Sequence, residues 1–210
     1  MAPVRKTVSP LPTSAAVFAA AARGFSARGF DGVSMDDIAR DAGVNKAMIY
    51  YHFRSKAALY REILRDMFKA VATRVRAIAA SDAPPENKIR AYVEAIASEG
   101  EARPHFAPMW LREIAEGAEH VDTDVLGHVR DVLTSLGAII DEGCRTGRFR
   151  PTNPLLIQVG IIAPMMFYMA TGAVRRKISR ARRVQAQTSR DEIVAHVQRV
   201  TLAVLEGRIA

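Results

Sequence analysis

The chain contains a single cysteine, Cys144, among its 210 residues. One thiol cannot build an internal disulfide framework, which excludes the small disulfide-stabilised secreted folds and fits a reducing cytoplasm. No apolar run approaches the ~20 residues that cross a bilayer, so we expect neither a membrane-spanning helix nor a membrane partner. Alternation of polar and apolar residues, the signature of a strand, is missing over any useful length, which argues against a β-sheet fold.

The motifs of common enzyme classes are missing as well. The sequence has no Gly-rich phosphate loop, no GxSxG and no HExxH, so we predict no enzymatic activity and no cofactor. Four side chains that can bind a transition metal recur at every fourth position: Glu116, His120, Asp124 and His128. They would share one face only on a continuous helix, and Gly117 together with the 121–123 run predicts a helix break between them. We therefore predict no metal site.

The composition is that of a folded globular protein, with 49% apolar and 25% charged residues. The formal net charge of +8 and the pI near 10.1 favour an anionic partner. Seven Lys and Arg residues lie in the segment 175–190, however, and without them the chain is close to neutral. Three interpretations of this segment remain open: a solvated connection, a membrane-surface contact or a contact to the DNA backbone.

Helical spacing of apolar residues dominates the chain, and the capping and breaking signals predict an all-α fold of about nine helices. The predicted helices cover 14–28, 34–42, 45–52, 56–79, 86–99, about 104–117, 124–145, 154–176 and 189–206. The run AAVFAAAA at 15–22 imitates the apolar core of a signal peptide, but its helical spacing continues to Arg28 and favours a first helix. The eighth helix is apolar almost all round, which predicts that it is buried.

The second and third predicted helices are separated by only a few residues, which is the spacing of a helix-turn-helix motif. Ser34 and Asp37 have the spacing of a capping box, so the second helix starts there. Gly43 can supply the left-handed residue that ends it, and Asn45 can cap the third helix. The sequence thus predicts a reading helix that starts at Asn45.

In a helix-turn-helix motif the second helix enters the major groove with its N-terminal residues facing the base edges. The leading residues here are Asn45, Lys46, Ala47 and Met48. Further along, three side chains carry donors that can reach phosphate oxygens: Tyr50, His52 and Lys56. Taken alone, the cluster 50–52 would more simply be half-buried aromatic packing with polar tips. Its place next to a glycine turn favours the DNA-binding interpretation.

A spaced signature extends across this part of the chain. It comprises Phe25, RGF at 28–30, Ser34, DIA at 37–39, AGV at 42–44, YYHF at 50–53, SK at 55–56 and Leu59. With these residues, the segment 14–61 resembles the DNA-binding domain of the tetracycline-repressor (TetR) family. The resemblance implies a flexible arm at 1–13, a DNA-binding domain at 14–61 and a ligand-binding and dimerisation domain at 62–210.

The same resemblance implies roles for individual residues. It implies that Ser34, Tyr50, His52 and Lys56 contact phosphates. It implies that Met35, Lys46, Ala47, Met48 and Tyr51 face bases or sugars. It further implies a homodimer formed through the eighth and ninth predicted helices, with double-stranded operator DNA and a small inducer as the other partners.

Two apolar clusters in the second domain predict where the inducer binds. One lies on a face of the sixth helix: Phe106, Met109, Trp110 and Glu113. The other lies in the middle of the eighth helix, beside Pro164: Met165, Met166, Phe167, Tyr168 and Met169. Methionine adapts to variable apolar shapes, and apolar cavities with few polar groups are the usual small-molecule sites. We expect a largely apolar ligand, neutral or cationic, although many of these residues can be ordinary core.

Together these features predict a cytoplasmic, ligand-responsive transcriptional repressor that binds a palindromic operator. The alternative is an architectural DNA-binding protein without a ligand. A long second domain with a Met-rich and aromatic-rich interior argues against that alternative, because a DNA clamp alone does not require one.

Overall fold

The computed structural model describes residues 13–182 and 188–209, which form ten α-helices and no strand. The helices are α1 (Thr13–Arg28), α2 (Met35–Ala42), α3 (Lys46–Phe53), α4 (Lys56–Ala79), α5 (Pro85–Ala102), α6 (Phe106–Ala115), α7 (Thr123–Arg145), α8 (Pro154–Ala170), α9 (Gly172–Arg182) and α10 (Arg190–Leu205). The predicted all-α fold class is confirmed. The predicted arm at 1–13 lies outside the described residues, apart from Thr13, which begins α1.

The chain divides into two compact units, Met1–Ile63 and Leu64–Ala210, and the division falls inside α4. In the first unit, α1, α2, α3 and the start of α4 enclose a core that includes Val17, Phe25, Ile38, Ile49 and Leu59, each at most 1% exposed. Phe25 and the buried Tyr60 meet edge to face at 4.9 Å between ring centroids. This core fixes the short helices α2 and α3, which could not be stable alone.

In the second unit, α5, α7, α8 and α10 surround the main core, which includes Tyr92, Leu136, Ile161 and Leu202. Polar contacts also join these helices. Arg190, at the start of α10, donates to Glu94 of α5 at 2.9 Å, so it is not a solvated part of the arginine-rich segment.

The predicted eighth helix is wrong in its end. It ends at Ala170 rather than near 176, and α9 follows at an angle of 59°. At the break, the Arg175 guanidinium donates to the Tyr168 carbonyl and lies 4.2 Å from the centre of the Tyr168 ring. Within this chain, several apolar side chains of α8 remain more than half exposed: Leu155, Leu156, Val159 and Phe167.

Among the described helices, none is by itself long and apolar enough to span a membrane. Only α8 and α9 taken together reach that length and composition, as a pair bent by 59°.

Candidate DNA-binding surface and ligand cavity

The turn between α2 and α3 is built by local signals. The Asp37 N–H donates to Ser34 Oγ at 3.1 Å, and the Ser34 N–H donates to Asp37 Oδ2 at 3.0 Å, which completes the capping box. Gly43 has a φ of 67° and ends α2 in the left-handed region. The Ala47 N–H then donates to Asn45 Oδ1 at 2.9 Å, which starts α3. The predicted caps of both helices are confirmed.

One residue anchors α3 and leaves the rest of the helix on the surface. Ile49 is fully buried, and it is the only buried residue of α3. Met48, Tyr50 and Tyr51 are 41%, 45% and 80% exposed. Asn45, Ala47 and His52 are exposed too, so most of the residues proposed for DNA contact lie on one accessible helix.

Met35 differs from the other residues in this set. The family resemblance places it at bases or sugars, yet it is only 7% exposed and belongs to the core of the first unit. Ser34, by contrast, is exposed, although its hydroxyl donates to Asp37 Oδ2 at 2.7 Å. Met35 therefore offers little surface to DNA.

The two lysines of this surface already have partners within the first unit. Lys46 Nζ lies 2.8 Å from Asp36 Oδ2, and this hydrogen bond raises the pKa of the lysine. Lys56 Nζ donates to the Phe30 carbonyl at 3.1 Å and lies 4.1 Å from the centre of the Phe30 ring. Each ammonium group carries three N–H donors, so further donors remain for a base or a phosphate.

Arg54 forms a strained turn that the sequence did not indicate. Its φ is 59°, and the Ser55 N–H donates to the Phe53 carbonyl across it at 2.6 Å, which makes a γ-turn. Ser55 then caps α4, because the Ala58 N–H donates to Ser55 Oγ at 3.1 Å. A non-glycine residue in this region stores strain of ~1–3 kcal/mol, which the surrounding structure must hold.

The second unit contains an apolar cavity of about 450 Å³. Residues of α4, α5, α6, α7 and α8 line it: Phe68, Val71, Ile96, Gly100, Phe106, Trp110, Leu111, Ile114, Val129, Val132, Leu133, Leu155, Gln158, Val159, Ile162, Ala163, Met166 and Phe167. The Trp110 and Phe68 rings meet edge to face at 4.6 Å between centroids. The volume of the cavity is within the range of ~300–1,000 Å³ that is typical of small-molecule sites.

The cavity brings together some of the residues that were predicted to bind the ligand, and not others. Phe106, Trp110, Met166 and Phe167 line it. Five further residues of the predicted set do not: Met109, Glu113, Met165, Tyr168 and Met169. Met109 and Met165 are at most 1% exposed within the core, and Met169 fills the space above Gly100, where an added Cβ would lie 2.1 Å from its sulfur.

Glu113 has a different role from the one predicted. It is fully buried, accepts from the His120 N–H at 3.1 Å and lies 3.1 Å from His120 Nδ1. Gly117 and Ala118 have φ values of 77° and 61°, so the helix break predicted after 116 is present. No group of three or more metal-ligating side chains forms among the described residues.

Gln158 lines the cavity and was missed in the sequence analysis. It is the one polar side chain in the apolar run PLLIQVGIIAPMM at 154–166, and that isolation is the signal that could have found it. The Tyr92 hydroxyl lies 2.7 Å from Gln158 Oε1 and 3.1 Å from the Val132 carbonyl. Its single proton goes to the nearer oxygen, which fixes the amide at the cavity wall. Burial raises the pKa of the Tyr92 phenol, so the hydroxyl remains a donor at neutral pH.

Known proteins match this chain over most of its length. The family model described as bacterial regulatory proteins, tetR family, matches residues 17–63. A second model, the tetracyclin repressor-like C-terminal domain, matches residues 85–200. The HTH-type transcriptional regulator RutR of Escherichia coli O157:H7 is 26% identical over 200 residues, which cover 91% of this chain and 88% of RutR.

Solved structures show the same fold. The TetR family transcriptional regulator PfmR from Thermus thermophilus has a TM-score of 0.71 at 21% identity, covering 92% of this chain and 99% of PfmR. A bacterial regulatory protein in the tetR family from Rhodococcus RHA1 has a TM-score of 0.73 at 17% identity, covering 92% and 96%. With one family model on the helix-turn-helix unit and another on more than half of the chain, this protein belongs to the TetR family of transcriptional regulators.

Proposed function

We propose that this regulator is a ligand-responsive repressor, which binds a palindromic operator as a homodimer and is released by a small, largely apolar inducer. The observation that carries the proposal is the apolar cavity of about 450 Å³ in a chain that also presents a helix-turn-helix. We place the protein in the cytoplasm, because a bacterial operator lies there.

The exposed side of α3 is the proposed reading surface. Ala47, Met48 and Tyr51 offer apolar and aromatic contact to bases and sugars, and Lys46 can donate to guanine. Tyr50, His52 and Lys56, together with Ser34, supply donors for phosphate oxygens. Asn45 acts mainly through the cap that orients the first turn of α3.

A second copy of the chain is the proposed partner of α8 and α10. Leu156 and Phe167 of α8 are 67% and 70% exposed, and Val200 of α10 is 42% exposed. Apolar surface of this kind is costly to leave in water and marks an interface. A two-fold dimer would place two reading helices on half-sites about one DNA turn apart, ~34–36 Å, or more.

The cavity is the proposed inducer site. Phe68 and Val71 of α4 line it, and the residues of α4 up to Ile63 belong to the DNA-binding unit. A ligand that shifts these side chains acts on the helix that leads to the reading head. Binding then favours a conformation with lower operator affinity, and the coupling is reciprocal.

A gel-shift experiment with DNA from upstream of the protein's own gene tests operator binding. We expect a complex that survives excess random DNA and that Tyr51→Ala removes, whereas Leu126→Ala serves as an exposed apolar control on α7. Binding that random competitor abolishes completely would contradict the proposal.

The competing function is an architectural DNA-binding protein without a ligand. A thermal-unfolding screen against apolar compounds separates the two, because a compound at a hundred times its Kd stabilises the folded state by about 2.7 kcal/mol. The cavity favours the regulator, and a screen in which no apolar compound raises the Tm would favour the architectural protein.

A further inference from the structure

The cavity wall has few polar side-chain atoms. Among the described residues that line the cavity, Gln158 and Trp110 are the only ones whose side chains carry nitrogen or oxygen. The Gln158 oxygen accepts from Tyr92 at 2.7 Å, which leaves the amide N–H groups to donate. Across residues 13–182 and 188–209, neither Gln158 Nε2 nor Trp110 Nε1 has a hydrogen-bond partner. Among these side chains, the hydrogen-bonding groups without a partner are therefore donors.

No charged side chain lines the cavity among residues 13–182 and 188–209. The buried ionisable side chains of the second unit pair elsewhere: Glu113 with His120, and Lys88 with Glu142 at 2.6 Å. An ion inside the cavity would lose its hydration without gaining a counter-charge, and that loss weakens binding strongly. A neutral molecule avoids this loss, and an acceptor oxygen satisfies the donors on the wall.

We propose that the cavity binds a neutral, largely apolar molecule with a carbonyl-type acceptor oxygen, which receives a hydrogen bond from the Gln158 amide, and that it excludes carboxylates and ammonium ions. At ~30 Å³ for each water-sized atom, the volume of about 450 Å³ corresponds to roughly 15 non-hydrogen atoms. Tyr92 is a positioning residue, because it holds the oxygen end of the Gln158 amide. The role of such a molecule as an inducer rests on the proposed function, whereas its binding to the cavity does not.

Calorimetry with six probes tests the ligand class on the full chain. Benzophenone is neutral and carries the acceptor, and diphenylmethane lacks it. The charged probes are 4-benzoylbenzoate and 4-(aminomethyl)benzophenone in its ammonium form, and their neutral controls of the same size are 4-acetylbenzophenone and 4-ethylbenzophenone. We expect benzophenone to bind about three- to tenfold tighter than diphenylmethane. Each ion should bind at least about tenfold weaker than its neutral control of the same size, because the wall supplies no counter-charge. No binding of benzophenone, or equal binding of either ion, would overturn the proposal.

Variants assign the hydrogen bond to its residue. Gln158→Met keeps the length of the side chain and removes the amide, so the benzophenone affinity should fall to that of diphenylmethane. Gln198→Met on α10 is the control, because Gln198 donates to the Arg90 carbonyl and does not line the cavity. Tyr92→Phe should reduce the ratio of the two affinities, which a general loss of stability would not change. An unchanged ratio in Gln158→Met would overturn the assignment.

Photolabelling locates the probe independently. Near-ultraviolet light attaches benzophenone to C–H groups that line its site, and we expect adducts on peptides that contain Met166 or Leu133. Labelling confined to other peptides would overturn the placement.

Operator release distinguishes this inference from the proposed function. If only a charged compound releases the protein from DNA and benzophenone does not bind, the ligand class is wrong and the repressor function stands. If the probes rank as expected but no bound compound affects DNA binding, the ligand class stands and the inducer function fails.

Discussion

Replacing Gly43 by alanine tests the helix-turn-helix through backbone conformation alone. Gly43 has a φ of 67°, and a Cβ built there meets no atom within 4 Å, so alanine introduces no clash. The left-handed conformation costs an L-residue ~1–2 kcal/mol. Alanine also restricts the unfolded chain more than glycine does, which offsets ~0.4–1 kcal/mol of that cost. We therefore expect the free energy of unfolding to fall by about 1 kcal/mol.

Gly127→Ala is the matched control, because it is the same chemical change inside a helix. Gly127 lies in α7, and a Cβ built there also meets no atom within 4 Å. Helix propensity then raises the free energy of unfolding by ~0.8–1 kcal/mol. The two substitutions should thus shift stability in opposite directions by similar amounts.

Scanning calorimetry of the full chain measures both variants, with Trp110 fluorescence as a separate report on the second unit. At ~2–4 °C for each kcal/mol, the Tm of Gly43→Ala should fall by a few degrees and that of Gly127→Ala should rise. A Gly43→Ala variant as stable as the parent would refute the requirement for a left-handed residue in the turn. A lower Tm for Gly127→Ala would refute the control.

Three further predictions concern the DNA-binding unit. Ser34→Ala should lower stability by about 1 kcal/mol in chemical denaturation. Hydrogen bonds from Ser34 hold the pKa of Asp37 below its ordinary value. The stabilisation is therefore present above about pH 4 and is lost as the pH falls further. In Ser34→Ala the stability should fall less steeply over this acid range. Arg54→Gly should relieve the strained turn and raise stability by ~0.5–1 kcal/mol, and a lower Tm would contradict the strain. In anisotropy titrations against salt, Lys56→Ala should weaken binding to all DNA and lower the salt slope by about one. Lys46→Ala should instead reduce the preference for operator over random DNA by ~1–3 kcal/mol. Equal losses on operator and random DNA for both variants would contradict these roles.

Local signals account for the parts of the fold that the sequence predicts well. Ser34, Gly43 and Asn45 determine helix ends through contacts within a few residues, so their roles can be read directly from the spacing. The all-α class follows in the same way from periodic apolar residues and caps.

The end of α8 and the composition of the cavity depend on contacts that the spacing does not contain. Where α8 ends, Arg175 folds back onto the Tyr168 carbonyl and ring, a contact between residues seven positions apart. In a helix that is apolar on nearly every side, periodicity cannot tell the core face from the cavity face. Met165 and Met166 are adjacent in the sequence, yet only Met166 lines the cavity. Sequence reasoning therefore located the helices of the cavity better than its individual residues.

The coupling between the cavity and DNA is the most direct test of a ligand-responsive repressor. Anisotropy gives the operator affinity with and without a saturating cavity ligand, and calorimetry gives the affinity of that ligand with and without operator DNA. Our account predicts that each partner weakens the other by the same factor, typically about 5- to 150-fold. A ligand that occupies the cavity, as Gln158→Met and photolabelling report, and leaves operator affinity unchanged would contradict it.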